Sequence, residues 1–132
     1  MSTNAERIKR VKKNAHENDR HSGCSQGVLL ALHEELGIRS PEVFKAATVL
    51  SGGVTRHGET CGALLGSLMA LGLVVGREKM EDTQTYHDSM DPSADIIARY
   101  KEELKKQFGF KGGLQAPCAN ESTPKSMAAP LI

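Results

Sequence analysis

Residues 62–76 read GALLGSLMALGLVVG, a run of about 15 positions without a charged side chain. Gly62, Gly66 and Ala70 recur every fourth residue, with Ala63 and Ser67 beside them. That spacing predicts a helix from Thr60 to about Val75 that is apolar nearly all round. Such a helix has to be covered by neighbours, not laid on a surface. Its small residues let another backbone come close, so the strip is a packing face. The run also falls short of the roughly 18 to 20 residues needed to cross a bilayer. The rest of the chain must supply helices that wrap this one.

Candidates for those helices lie on both sides. Asn4 can cap a helix from about Ala5 to Asn18, with Ile8, Val11 and Ala15 on one face and Arg7, Lys9, Arg10, Lys12 and Lys13 around it. A thin apolar stripe among charges marks a surface helix. A second helix, from about Cys24 to Leu36, turns Val28, Leu29, Leu32 and Leu36 inward, with Gly37 as its stop. His33 beside Glu34 and Glu35 belongs to its exposed face. Ser40 is the expected cap of a third helix, Pro41 its first residue, and Gly52-Gly53 its end.

Residues 77–93, REKMEDTQTYHDSMDPS, are polar and predict a loop or frayed helix. Asp91 or Ser93 then starts an amphipathic helix to about Phe108, with Ile96, Ile97, Tyr100, Leu104 and Phe108 inward. Beyond Gly109, glycine, proline and small polar residues predict a flexible tail. There is no strand-period alternation and no internal repeat. The expected fold is all-α, a small bundle of about five helices around a central small-residue-rich apolar helix. Residues 1–110 form a single helical domain and 111–132 the tail.

With 17 basic and 16 acidic residues, the formal charge is +1. That balance recruits neither nucleic acid nor a membrane surface. The N-terminal MSTNAERIKRVKKNAHENDR has no apolar stretch, so no secretory signal is expected and a cytoplasmic location follows. Three cysteines, Cys24, Cys61 and Cys118, are an odd number and argue against a secreted disulfide framework. In a reducing compartment they are core fillers, metal ligands or redox thiols.

Cys24 and Cys61 share a setting. Each follows a polar or glycine-containing stretch and stands at, or just before, the first turn of an expected helix. Unpaired backbone N–H groups and the helix dipole favour an anion there. A thiol that normally titrates near ~8.5 can be lowered by a unit or more in such a place. Arg56 and His57 precede Cys61, and His21 lies three residues before Cys24. Glu59, two residues before Cys61, either works against a thiolate by its charge or accepts a proton. The competing reading makes Cys61 a small core residue among glycines and alanines.

Other chemistries have thin support. CxxC, CxxCH and HExxH are all missing. SGGVTRHGET is glycine-rich but matches neither phosphate-loop pattern and follows a helix instead of a strand. GETCG lacks the strand that a nucleophile elbow requires.

GCSQGVLLALHEELGI, followed by LSGGVTRHGETCGALLGSLMALGLVVG, resembles the redox-active proteins named for a C_GCAxxG_C_C signature. The likeness covers roughly residues 20 to 110. Its most specific part is Cys61-Gly62-Ala63-Leu64-Leu65-Gly66, similar to the family's CGAxxG. Cys24 stands where the family has its single upstream cysteine, and Gly52-Gly53 where it has its Gly-Gly link. The resemblance implies a small helical protein with a cysteine-based redox role. It also implies two further cysteines downstream, where this chain has Cys118 alone.

The expected function is thiol/disulfide exchange or electron transfer through Cys24 and Cys61, with a protein as redox partner. Cys61 is the expected attacking sulfur, with Arg56 favouring its thiolate and His57 accepting its proton. In the alternative, Cys24 and Cys61 are thiolate ligands of a metal or Fe–S cluster. Histidine (His21 or His57) or a partner subunit would then complete the site. A third reading is a helical interaction module whose cysteines only pack. An exposed apolar face on the small-residue helix would point to a homo-oligomer. The choice turns on how close the two sulfurs lie.

Overall fold

The fold is taken from a computed structural model that describes residues 1–109 and Leu114. Among these residues five α-helices follow one another: α1 (Asn4–Asn18), α2 (Cys24–Leu36), α3 (Pro41–Ala46), α4 (Gly62–Val75) and α5 (Thr83–Phe108). Short 3₁₀ turns occupy Asp19–His21 and Ala47–Leu50. No β-strand occurs among the described residues, so the chain is all-α. Among the same residues no helix is long and apolar enough to cross a membrane. Leu114 apart, the tail expected over 111–132 lies outside the described residues, as does the side chain of Phe108.

The cap of α1 is Thr3, not Asn4. Thr3 Oγ1 accepts the Glu6 N–H at 3.2 Å, and the Glu6 carboxylate accepts the Thr3 N–H at 2.8 Å. This reciprocal box satisfies two donors that the helix start would otherwise leave open. α1 and α2 then pair antiparallel. Gly27 lies against Ala15 and Asn18, and at the other end Arg7 and Arg10 reach the Glu35 carboxylate at 2.9 and 2.8 Å.

Hydrogen bonds from Arg10 and then Arg7 hold the Glu35 carboxyl down from its ordinary 4.5 to about 2. A depressed folded-state value means the stabilisation is present above the unfolded value and is lost as pH falls through the folded one. Glu35→Gln is therefore expected to unfold at lower urea than wild type at pH 7. The gap should close between about pH 4.5 and pH 2. A gap that persists at pH 2 in urea titrations would assign the effect to packing and not to charge.

α2 ends on Gly37 (φ +66), as expected, and lies between α1 and α4. His33, expected on an exposed face, is only 5% exposed, whereas Leu36, expected inward, is 42% exposed. The reason is a third neighbour. Gln26, two turns before His33 and on the same side of the helix, donates to the Phe44 carbonyl and to Thr48 Oγ1. α3 and its 3₁₀ turn thus cover a flank that charge spacing marks as open. Pro41 opens α3 as expected, but Ser40 makes no side-chain cap.

α4 starts two residues later than expected, with Cys61 as its N-cap. Its small-residue strip packs directly on α2. A β-carbon at Gly66 would fall on the Ser25 carbonyl oxygen, and Ala70 clusters with Leu29 and Ala47. Position 62 meets 24 and 25, 66 meets 25 and 29, and 70 meets 29. The two helices therefore run parallel, with both N-termini at one end. Burial in α4 extends to Ala70; beyond it Leu73 is 37% and Val74 57% exposed.

Of the stretch 77–93, expected as a loop or frayed helix, the part from Thr83 onward belongs to α5. The helix begins at Thr83, where Asp82 accepts from Thr85 N and Oγ1 at 3.1 and 2.6 Å, and it continues through Pro92. A proline suits the first turn of a helix, so sequence alone favours a start near Asp91 or Ser93. Inside the helix it lacks an N–H for the Asp88 carbonyl, and the Ser93 hydroxyl back-bonds to Ser89 O beside it. Tyr100 and Leu104 pack against Ala63 and Leu64, so α5 runs antiparallel to α4 and returns to the end where α4 begins.

Candidate thiol site

Cys24 is the first residue of α2, after Gly23 at φ +88, and is half-buried. Cys61 caps α4 and is fully buried. Because α2 and α4 run parallel from the same level, the two helix starts converge. Cys24 Sγ lies 2.5 Å from the point where a β-carbon on Gly62 would stand, with Leu50 O at 2.9 Å and Ser25 N at 3.2 Å from it. The sulfur of one helix thus fills the space that a missing side chain leaves on the other. Cys61 is one Cα step, about 3.8 Å, before that glycine. Cys24 and Cys61 belong to one apolar cluster, which Leu114 also joins.

Two further groups hold this end together. Ser25, fully buried, donates to the Ala47 carbonyl at 2.7 Å and meets Ser51 Oγ at 2.8 Å, tying the first turn of α2 to the chain beyond α3. The Cys61 N–H donates to the Leu114 carbonyl at 2.9 Å. Neither Ser25 nor Leu114 was expected from sequence. Leu114 had one signal, being the lone large apolar residue in the segment KGGLQAPC.

The link into Cys61 has unusual backbone. Gly52, Gly53, Val54, Thr55 and Arg56 have φ of 66, 72, 61, 51 and 60°, a continuous left-handed turn. Such a conformation costs an L-residue roughly 1–2 kcal/mol, and β-branched Val54 and Thr55 are poorly suited to it. Five N–H groups, of Val54, Thr55, Arg56, Gly58 and Glu59, donate to carbonyls of residues 49 to 53 and close the loop on itself. Those donors are engaged within the loop and not directed at a phosphate. A side chain at Gly53 would strike the backbone of Glu59, 2.7 Å from its nitrogen.

This turn decides where Arg56 and His57 sit. Both are exposed. His57 Nδ1 donates to the Thr55 carbonyl at 2.9 Å, and the Arg56 side chain folds against Gly52. The loop itself thus holds both groups, although they precede Cys61 closely in sequence. His21 and Glu59 are exposed as well. Cys61, the expected attacking sulfur, has no surface of its own; of the two cysteines only Cys24 offers any. Among the described residues no group of three or more His, Cys, Asp or Glu side chains is placed to hold a metal ion.

No curated protein and no solved structure matches the chain. The family described as "Putative redox-active protein (C_GCAxxG_C_C)" matches residues 22–120. That span takes in both helix starts, the left-handed turn and the small-residue strip. The chain belongs to the C_GCAxxG_C_C redox-active family.

Proposed function

We propose that Cys24 and Cys61 form a thiol/disulfide couple that exchanges with a disulfide in a partner protein. One observation carries this reading: two parallel helices start side by side, and Cys24 Sγ occupies the space over Gly62. Each helix start is equivalent to about half a positive charge, so their pairing favours a thiolate there. Apolar burial works against ionisation of Cys61. Cys24 therefore attacks and Cys61 resolves.

In the first step the Cys24 thiolate attacks one sulfur of the partner disulfide. That S–S bond breaks, and the other partner sulfur leaves as a thiolate and takes up a proton. Cys61 then loses its proton and attacks Cys24 Sγ, releasing the second partner thiol. The partner disulfide gains two electrons and two protons, and Cys24 and Cys61 lose them as they join.

The test is intact-mass analysis of the reduced protein after treatment with glutathione disulfide. A loss of two hydrogens, reversed by dithiothreitol, is expected. Cys24→Ser abolishes it, and Cys61→Ser leaves a glutathione adduct on Cys24. An unchanged mass, or a lasting adduct on the wild-type protein, would overturn the couple.

A further inference from the structure

We infer that the chain forms a reciprocal dimer, in which an acidic arm at the start of α5 seats in an apolar groove of a second copy. The inference does not depend on the thiol couple and concerns the opposite end of the bundle. α1 packs on α2, α2 on α4 and α4 on α5, which leaves α1 and α5 as the walls of a groove of about 970 Å³. Leu32, Leu71 and Val74 form its floor, Ile8 and Lys12 stand on the α1 wall, and Ile96 stands on the α5 wall. Where α2 and α4 finish, Ile8, Leu36 and Val74 are exposed and give the groove an apolar mouth.

The arm follows from unequal helix lengths. From the level that Leu104 shares with Leu64, α4 runs on for about 16 Å to Val75, whereas α5 runs back for about 31 Å to Thr83. The first turns of α5 therefore overhang the end of α4 by up to about 15 Å. Arg77 fastens the link from α4 to this overhang: its guanidinium lies 4.8 Å from the Tyr86 ring centre and donates to the Met80 carbonyl at 3.0 Å. Met80, Tyr86 and Met90 are exposed on the arm, with Tyr86 and Met90 one turn apart on the same side. A helical protrusion with apolar anchors and an apolar groove are matching surfaces. α5 is itself a wall of its own groove and runs out past it, so the groove that its arm can enter belongs to a second copy.

Charge selects the same occupant. From Glu81 to Ala98 the chain carries Glu81, Asp82, Asp88, Asp91 and Asp95 and no lysine or arginine. The α1 wall is basic. Arg7 and Arg10 are committed to Glu35 and Lys13 lies 4.0 Å from Glu17, while Lys9 and Lys12 have no acidic partner among the described residues. Asp88 and Asp91 likewise have no basic one. An acidic arm laid along the α1 of a second copy brings these unmatched charges together. Arm and groove mouth lie at the same end of each chain. Two copies set end to end about a twofold axis therefore exchange arms, and the assembly closes as a dimer. Both thiol sites then face outward.

The experiment is sedimentation equilibrium of the full chain over a range of concentrations, in dithiothreitol so that no disulfide joins two copies. A monomer–dimer equilibrium is expected, weakened when sodium chloride is raised from about 50 to about 500 mM. Met90→Glu on the arm and Val74→Glu in the groove each put an unpaired charge into the interface and should raise the dissociation constant at least about tenfold. Both positions are exposed in the single chain, so circular dichroism should be unchanged. An equimolar mixture of the two variants is expected to recover a heterodimer. The Met90→Glu chain keeps an intact groove and the Val74→Glu chain an intact arm, so one of the two junctions is whole. A monomer at every concentration would overturn the inference, as would a dimer that neither variant weakens or a mixture no tighter than its components.

Discussion

Gly66→Ala is expected to lower stability by about 2 kcal/mol, while Gly72→Ala in the same helix raises it by up to about 1 kcal/mol. Both exchanges carry the helix-propensity gain of alanine over glycine, about 1 kcal/mol. At Gly72 nothing lies within 4 Å of the new methyl group, so the gain stands alone. At Gly66 the methyl falls on the Ser25 carbonyl and 3.4 Å from Leu29 N. Those are backbone atoms and cannot swing aside as a side-chain end would. α2 is further pinned there by the Ser25 bonds to Ala47 and Ser51. The helices have to part, and the strain of overpacking, up to about 3 kcal/mol, outweighs the gain. Urea unfolding of the two variants decides it: a Gly66→Ala midpoint at or above wild type would mean that the close α2–α4 approach does not hold the bundle together.

Gly62→Ala strikes the chemistry. Its methyl would stand 2.5 Å from Cys24 Sγ and 2.9 Å from Leu50 O. A cysteine side chain turns about one torsion, so the sulfur moves to another staggered position, and the Leu50 carbonyl has to shift as well. Displacing a reacting atom by about 1 Å can cost a hundredfold in rate, and Cys24–Cys61 disulfide formation is expected to slow about tenfold to a hundredfold. The readout is the rate of the two-hydrogen mass loss under glutathione disulfide. Gly66→Ala is the control for loosening of the bundle, because its methyl meets the Ser25 and Leu29 backbone and not Cys24 Sγ. Equal slowing in both variants would assign the effect to general loosening.

Much of this was visible in the sequence where local chemistry decides. Gly23 and Gly37 bracket α2 at its observed ends, and the Gly62, Gly66, Ala70 strip is the face that meets α2. The losses came where a distant segment decides. His33 is buried because α3 folds over a flank that looks solvated in sequence. Pro92 suits a helix start as well as a bend, so the polar stretch before it reads as a loop or frayed helix and not as the first turns of one continuous α5. Val54 and Thr55 are poor residues for left-handed backbone, so only the hydrogen bonds that close the loop reveal it. The two cysteines were legible as helix starts. Their meeting depends on which way α4 runs relative to α2, and no local pattern records direction.

That direction has a consequence for the connecting chain. Helices joined by a short link double back, and α2, at 13 residues, is about 20 Å long. A tight turn after Gly37 would therefore set Cys61 at the opposite pole from Cys24. The stretch from Gly37 to Thr60, with α3, the 3₁₀ turn and the left-handed loop, is a return journey to the starting pole. Cutting it short would leave the composition of both helices intact and carry the sulfurs some 20 Å apart. The reactive pair is thus a property of the route the chain takes between its two halves, as much as of the cysteines themselves.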